Sequence, residues 1–145
     1  METSFSWNYY FLHIAKSVKI KSCCHKVGAI LVSEDNIIKG TGFNSLPGNL
    51  ESTIDLKNPK IAELYICDAE INCLVNSDPT TDYSSSVIYT TCSPKAETIK
   101  TIASFRIKKI YYDECRKDID LTRELCRFFT IDLVKYIPRD TLRVE

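Results

Sequence analysis

The chain has 145 residues and a formal net charge of zero, with 19 Lys plus Arg against 19 Asp plus Glu. Hydrophobic residues make up 44% and charged residues 26%, which excludes a disordered chain and leads us to expect one globular domain over residues 1–145. The even charge, without a basic stripe, speaks against a protein that tracks long nucleic acid, and no apolar run is long enough to span a membrane.

Met1 to Trp7 lacks the basic-then-apolar layout of a signal peptide, so an intracellular, cytoplasmic protein is expected. The seven cysteines are odd in number and irregular in spacing. In a reducing compartment such residues act as small buried hydrophobes, the reading adopted for Cys73, Cys115 and Cys126.

From Phe5 to Ile20, apolar residues at Trp7, Tyr10, Phe11, Ile14, Ala15 and Val18 follow helical spacing. Val27–Val32 is a short β-branched run, hence a buried strand, and Asn36–Phe43 reads as its hairpin partner. Ser45–Lys60, with Pro47, Gly48 and Pro59, is a long loop of the kind that is often functional. Helical spacing returns over Asp68–Val75, with a start as early as Ala62 also open. Val87–Thr91 is a strand, and Pro94 suits the first position of a helix running to about Phe105. Lys109–Tyr112 is a strand, Leu121–Phe129 a helix, and Ile131–Ile137 a final strand. The alternation in the second half implies parallel pairing, and the hairpin adds an antiparallel part. The expected fold is therefore α/β, with helices packed on a mixed sheet and any ligand outside the carboxyl ends of the strands.

Several segments carry a resemblance: VGAILV, GTGFNSLPG, CDAEINCL, YTTCSPKAETIK and KKIYYDE, in this order and at this spacing. Together, from about Phe11 to Glu114, they resemble a deoxycytidylate (dCMP) deaminase of the cytidine deaminase-like superfamily. The resemblance implies a three-layer α/β/α fold with a central mixed five-stranded sheet. In that superfamily a His/Cys/Cys or three-Cys set holds zinc, the zinc activates a water, and a Glu that is not a ligand moves protons. The signature is His-x-Glu followed by Pro-Cys-x-x-Cys. Here the first part reads Asp68-Ala69-Glu70 and the second Pro94-Lys95-Ala96-Glu97-Thr98. By this resemblance Asp68, Lys95 and Thr98 stand at the three ligand positions, and only Glu70, at the proton-shuttle position, and the proline frame remain. A lysine ammonium has no lone pair for a metal, and a threonine hydroxyl is a poor zinc donor. No zinc, no other cofactor and no working catalytic centre are therefore expected.

Lys95 would place a cation where the metal stood, and an Asp68–Lys95 ion pair, shared with Glu70, is the expected replacement. The alternative is that Asp68, Lys95 and Thr98 are solvated polar residues at two helix starts, where an Asp is favourable in any protein. A relocated metal site at Cys67 and Cys92, or at Cys23, Cys24 and His25, is disfavoured by poor spacing. Asn44, in Gly42-Phe43-Asn44, matches the family residue that contacts the nucleoside sugar, while a strand-end asparagine closing a turn explains it equally. Asn44, Asp68, Glu70, Lys95 and Thr98 are the candidate nucleotide-binding residues. Lys21 and Lys26 either meet a phosphate or are simply exposed.

The expected function is a catalytically inactive dCMP-deaminase-like protein that binds a nucleotide or nucleotide-derived small molecule. It would serve as a regulatory partner of an active deaminase subunit or as a protein that sequesters a nucleotide. One alternative is an active deaminase with a non-standard metal or none, relying on Glu70 without a Lewis acid. Another is a purely structural oligomer. Members of the family are typically hexameric, so a homo-oligomer is expected, with the aromatic N-terminal helix available for packing. The four glycines and the many Ile, Lys and Asn residues fit a viral or phage gene.

Overall fold

The computed structural model describes residues 5–50 and 54–137. Helix α1 spans Trp7–Val18, with the Ser6 hydroxyl accepting from the Tyr9 amide at 3.1 Å as its cap. Strands β1 (Gly28–Val32) and β2 (Ile38–Phe43) form the hairpin. Helices α2 (Pro59–Tyr65) and α3 (Ala69–Val75) follow. Then come β3 (Val87–Cys92), α4 (Ala96–Ser104), β4 (Lys109–Glu114), α5 (Ile119–Phe128) and β5 (Asp132–Lys135).

The five strands make one sheet in the order β2-β1-β3-β4-β5. β1 runs antiparallel to both β2 and β3, while β3, β4 and β5 are parallel. This is the expected mixed sheet, and alternation along β1 explains its two faces. Ala29 and Leu31 enter one core with Ala69, Cys73, Ile99, Ile102 and Cys126. Ile30 and Val32 enter the other with Phe11, Leu12 and Ala15 of α1. Three helices on one face and α1 on the other give the α/β/α layering. Gly42 lets α3 lie directly on β2, because a Cβ there would overlap the backbone of Cys73 and Ala69.

The topology brings the carboxyl ends of β2, β3 and β4 to one edge of the sheet, beside the start of β1. The Gly28 amide donates to the Thr91 hydroxyl across that edge at 3.1 Å. The starts of α3 and α4 lie on the same edge, where open α/β sheets hold ligands.

Several boundaries differ from the sequence reading. The helix considered to begin near Ala62 is two helices, because Cys67 exchanges backbone hydrogen bonds with Ser45 and breaks the helical ladder. The connection from Ser45 to Lys60 is not wholly irregular. It holds a short 3₁₀ turn at Pro47–Asn49 and the start of α2, and residues 51–53 lie outside those described. Pro94 is not the first residue of α4: it precedes the capping position Lys95, and its carbonyl accepts from the Thr122 hydroxyl at 2.8 Å. α5 starts two residues earlier than expected, and β5 is shorter than the expected strand. Cys73 and Cys126 are buried as expected, but Cys115 is exposed because it follows the last residue of β4 at the sheet edge. Among the described residues no helix is long and apolar enough to cross a membrane.

Candidate functional site

Asp68 and Lys95 occupy the capping positions of α3 and α4, and both have extended backbones. An Asp in that position ordinarily accepts from amides of its own helix. Asp68 makes no such bond. Its Oδ1 lies 3.2 Å from Lys95 Nζ, and its Oδ2 accepts from the Thr98 hydroxyl at 2.9 Å. The three residues at the positions of the signature thus form one connected unit across two helix starts. The Asp68 and Lys95 side chains keep only 19% and 27% of their exposure, and Thr98 is buried. They are not solvated polar residues at separate helix ends. The positive ends of both helices face this unit and favour its carboxylates.

Glu70 is the second residue of α3, in its first turn, and is buried. Its Oε2 accepts from the Thr90 hydroxyl at 2.6 Å, and Thr90 is fully buried on the central strand β3. Burial raises the Glu70 carboxyl from its usual 4.5 to about 7, and the neighbouring Asp68 pushes in the same direction. The Thr90 bond and the Arg116 charge oppose that rise.

Asn44 is buried and ties two segments together. Its Oδ1 accepts from the Ala69 amide at 2.8 Å, and its Nδ2 donates to the His25 carbonyl at 2.6 Å. It therefore gives the first amide of α3 a partner and leaves one of its own amide hydrogens uncommitted. Lys21 and Lys26 are exposed. The bridge between Ser45 and Cys67, with Asn72 donating to the Phe43 carbonyl at 2.8 Å, sets the register that delivers Asp68.

An open cleft of about 270 Å³ lies above this unit, lined in part by Asn44, Ile66, Asp68, Lys95 and Arg116. That is close to the lower end of small-molecule sites, about 300 Å³. A recess of about 10 Å³ between Glu70, Asp68, Lys95 and Arg116 continues it inward. The sequence reading missed Thr90 and Arg116. Arg116 lies two residues past the end of β4, so the rule that ligands sit beyond parallel strand ends was the signal for it. For Thr90, whose hydroxyl is paired through the fold, the sequence carried no comparable signal.

The donors at the unit do not fit a zinc ion: one is an ammonium without a lone pair and one a neutral hydroxyl already committed to Asp68. Elsewhere, burial holds the Cys92 thiol above its usual range and raises Cys24 to about 11. Among the described residues no group of three or more His, Cys, Asp or Glu side chains is arranged around a metal position.

Known proteins share this framework. A probable deoxycytidylate deaminase of Caenorhabditis elegans is 31% identical over 115 residues, which cover 75% of this chain and 58% of that protein. This chain therefore spans less than two thirds of that relative's length. The deoxycytidylate deaminase of Homo sapiens is 27% identical over 150 residues, covering 92% of this chain and 81% of the human protein. The crystal structure of dCMP deaminase from the cyanophage S-TIM5 in apo form matches with a TM-score of 0.69 at 28% identity, over 89% of this chain and 96% of that one. The dCMP deaminase from the same phage in complex with dCMP and dUMP matches with a TM-score of 0.75 at 23% identity, over 93% of this chain and all of that one. A family model, the cytidine and deoxycytidylate deaminase zinc-binding region, matches residues 5–114, a span that includes both helix starts of the site, and the chain belongs to that family.

Proposed function

We propose that this chain is a catalytically inactive dCMP-deaminase-like protein that binds a nucleotide, either regulating an active deaminase or sequestering the nucleotide. The observation that carries this reading is the Asp68–Lys95–Thr98 unit, which occupies the family's ligand positions with groups unsuited to zinc. Without that Lewis acid, activating water loses several kcal/mol of transition-state help. The open cleft beside Asn44 and Asp68 supports retained binding, as does the cyanophage relative, whose structure holds dCMP and dUMP. Asn44 would offer its remaining amide hydrogen to a sugar hydroxyl. The exposed Trp7 and Tyr10 on α1 support a self-associated form.

Equilibrium titration with deoxynucleoside monophosphates, run beside a dCMP turnover assay, tests the proposal. Saturable binding without turnover is expected. Absence of binding would overturn it.

The buried Glu70, with its proton affinity near neutrality, favours a second reading as an active general base. Turnover of dCMP that disappears in Glu70→Ala would establish that reading instead.

A further inference from the structure

We propose that the Lys95 ammonium reads the substituent at position 4 of a bound pyrimidine, so that the cleft selects 4-keto (uracil or thymine) nucleotides over cytosine nucleotides. This inference rests on the nucleotide-site reading above and assigns the ligand class of that site.

In the family's chemistry the zinc-bound water attacks C4 of cytosine, so the ligand positions surround the substituent on C4. Here Lys95 stands at one of those positions. An ammonium carries three donors and no acceptor. Asp68 Oδ1 engages one of them, and two remain for a ligand. Lys95 lines both the cleft and the small recess behind it. The recess, about 10 Å³, admits one water-sized group and no ring. It accommodates an exocyclic atom of a base whose ring stays in the outer cleft.

The polar inventory of the recess then decides which atom. Arg116 Nε, buried and without a hydrogen bond, is ion-paired with Asp118 Oδ1 at 3.6 Å and adds a second donor. Each Asp68 oxygen already holds one partner, Lys95 at Oδ1 and the Thr98 hydroxyl at Oδ2, and keeps one lone pair. Asn44 Oδ1 is taken by the Ala69 amide. Glu70 retains acceptor capacity beyond its bond from Thr90. The recess thus sets the donors of Lys95 and Arg116 beside the carboxyl groups of Glu70 and Asp68. A uracil or thymine edge presents an oxygen at position 4 and an N–H at position 3, and both find partners. A cytosine edge presents an amino group to the Lys95 ammonium, donor against donor, and its N3 acceptor is met only by the protonated form of Glu70. Sites built around one hydrogen-bond pattern reject the mismatched analogue strongly, because buried groups are left unpaired.

The test is calorimetric titration of the intact protein with dUMP, dTMP and dCMP under one buffer condition. We expect dUMP to bind at least about tenfold more tightly than dCMP, and Lys95→Met to bring that ratio within about twofold. Equal or tighter binding of dCMP by the wild type would overturn the base preference and leave the nucleotide reading standing. Binding of none of the three would overturn both. The wild-type ratio is decisive even if Lys95→Met does not fold, and circular dichroism of the variant reports that directly.

Discussion

At the scale of single residues, the site is held by exchanged partners. Asp68 gives up the ordinary capping bond of its helix and spends both oxygens on residues of the next helix start. Asn44 instead satisfies the first amide of α3. The pair is partly buried, so the Coulomb gain is offset by desolvation, and its formation is not itself evidence of stability. Removing one partner is different. Lys95→Ala leaves the partly buried Asp68 without its cation, and should lower stability by about 1–3 kcal/mol in urea unfolding. A wild-type midpoint would show that the ion pair carries no energy. Glu70 makes a prediction about pH. Its folded-state carboxyl binds a proton more tightly than the unfolded one, with values of about 7 and 4.5. The stability it contributes is complete below the lower value and is lost as pH rises through the upper one, roughly 3 kcal/mol in all. Glu70→Gln keeps an acceptor for Thr90 and removes the titration. The variant should gain on the wild type as pH rises across that window. A constant stability difference would contradict the assigned burial effect.

At the scale of elements, the sequence was informative where spacing is local. Asp68-Ala69-Glu70 and Pro94-Lys95-Ala96-Glu97-Thr98 mark two helix starts, and both helices begin one residue after Asp68 and Lys95. The alternation of strands and helices likewise predicted the parallel half of the sheet. What stayed hidden depends on contacts distant in sequence. The helix read over Asp68–Val75 is α3, and the bridge between Ser45 and Cys67 keeps it from starting as early as Ala62, which lies in the separate α2. The Thr122–Pro94 bond holds the proline outside α4. Thr90 reaches Glu70 across 20 residues of sequence, and Arg116 enters the site from beyond β4. Two element contacts are directly testable. Asn44→Ala unties the Ala69 amide and the His25 turn together and should cost about 1–3 kcal/mol, with lower ligand affinity. Gly42→Ala forces α3 off β2 and should cost more than about 2 kcal/mol, or prevent folding, by thermal melting. A neutral outcome at Gly42 would mean that α3 does not pack as described.

At the scale of the whole molecule, the framework of the family surrounds the Asp68–Lys95–Thr98 unit. The sheet order, the two cores and the helix starts on one sheet edge are compatible with binding a small ligand without any metal. The exposed aromatic residues of α1 lie on the opposite face of the sheet from α3 and α4, so self-association through α1 would leave the cleft open. The central claim is that this framework binds a nucleotide without zinc, and native mass spectrometry of gently purified protein tests it most directly. The account predicts a mass without zinc that shifts by one nucleotide per chain when deoxynucleoside monophosphate is added. One zinc per chain, or no nucleotide adduct at saturating ligand, would contradict it.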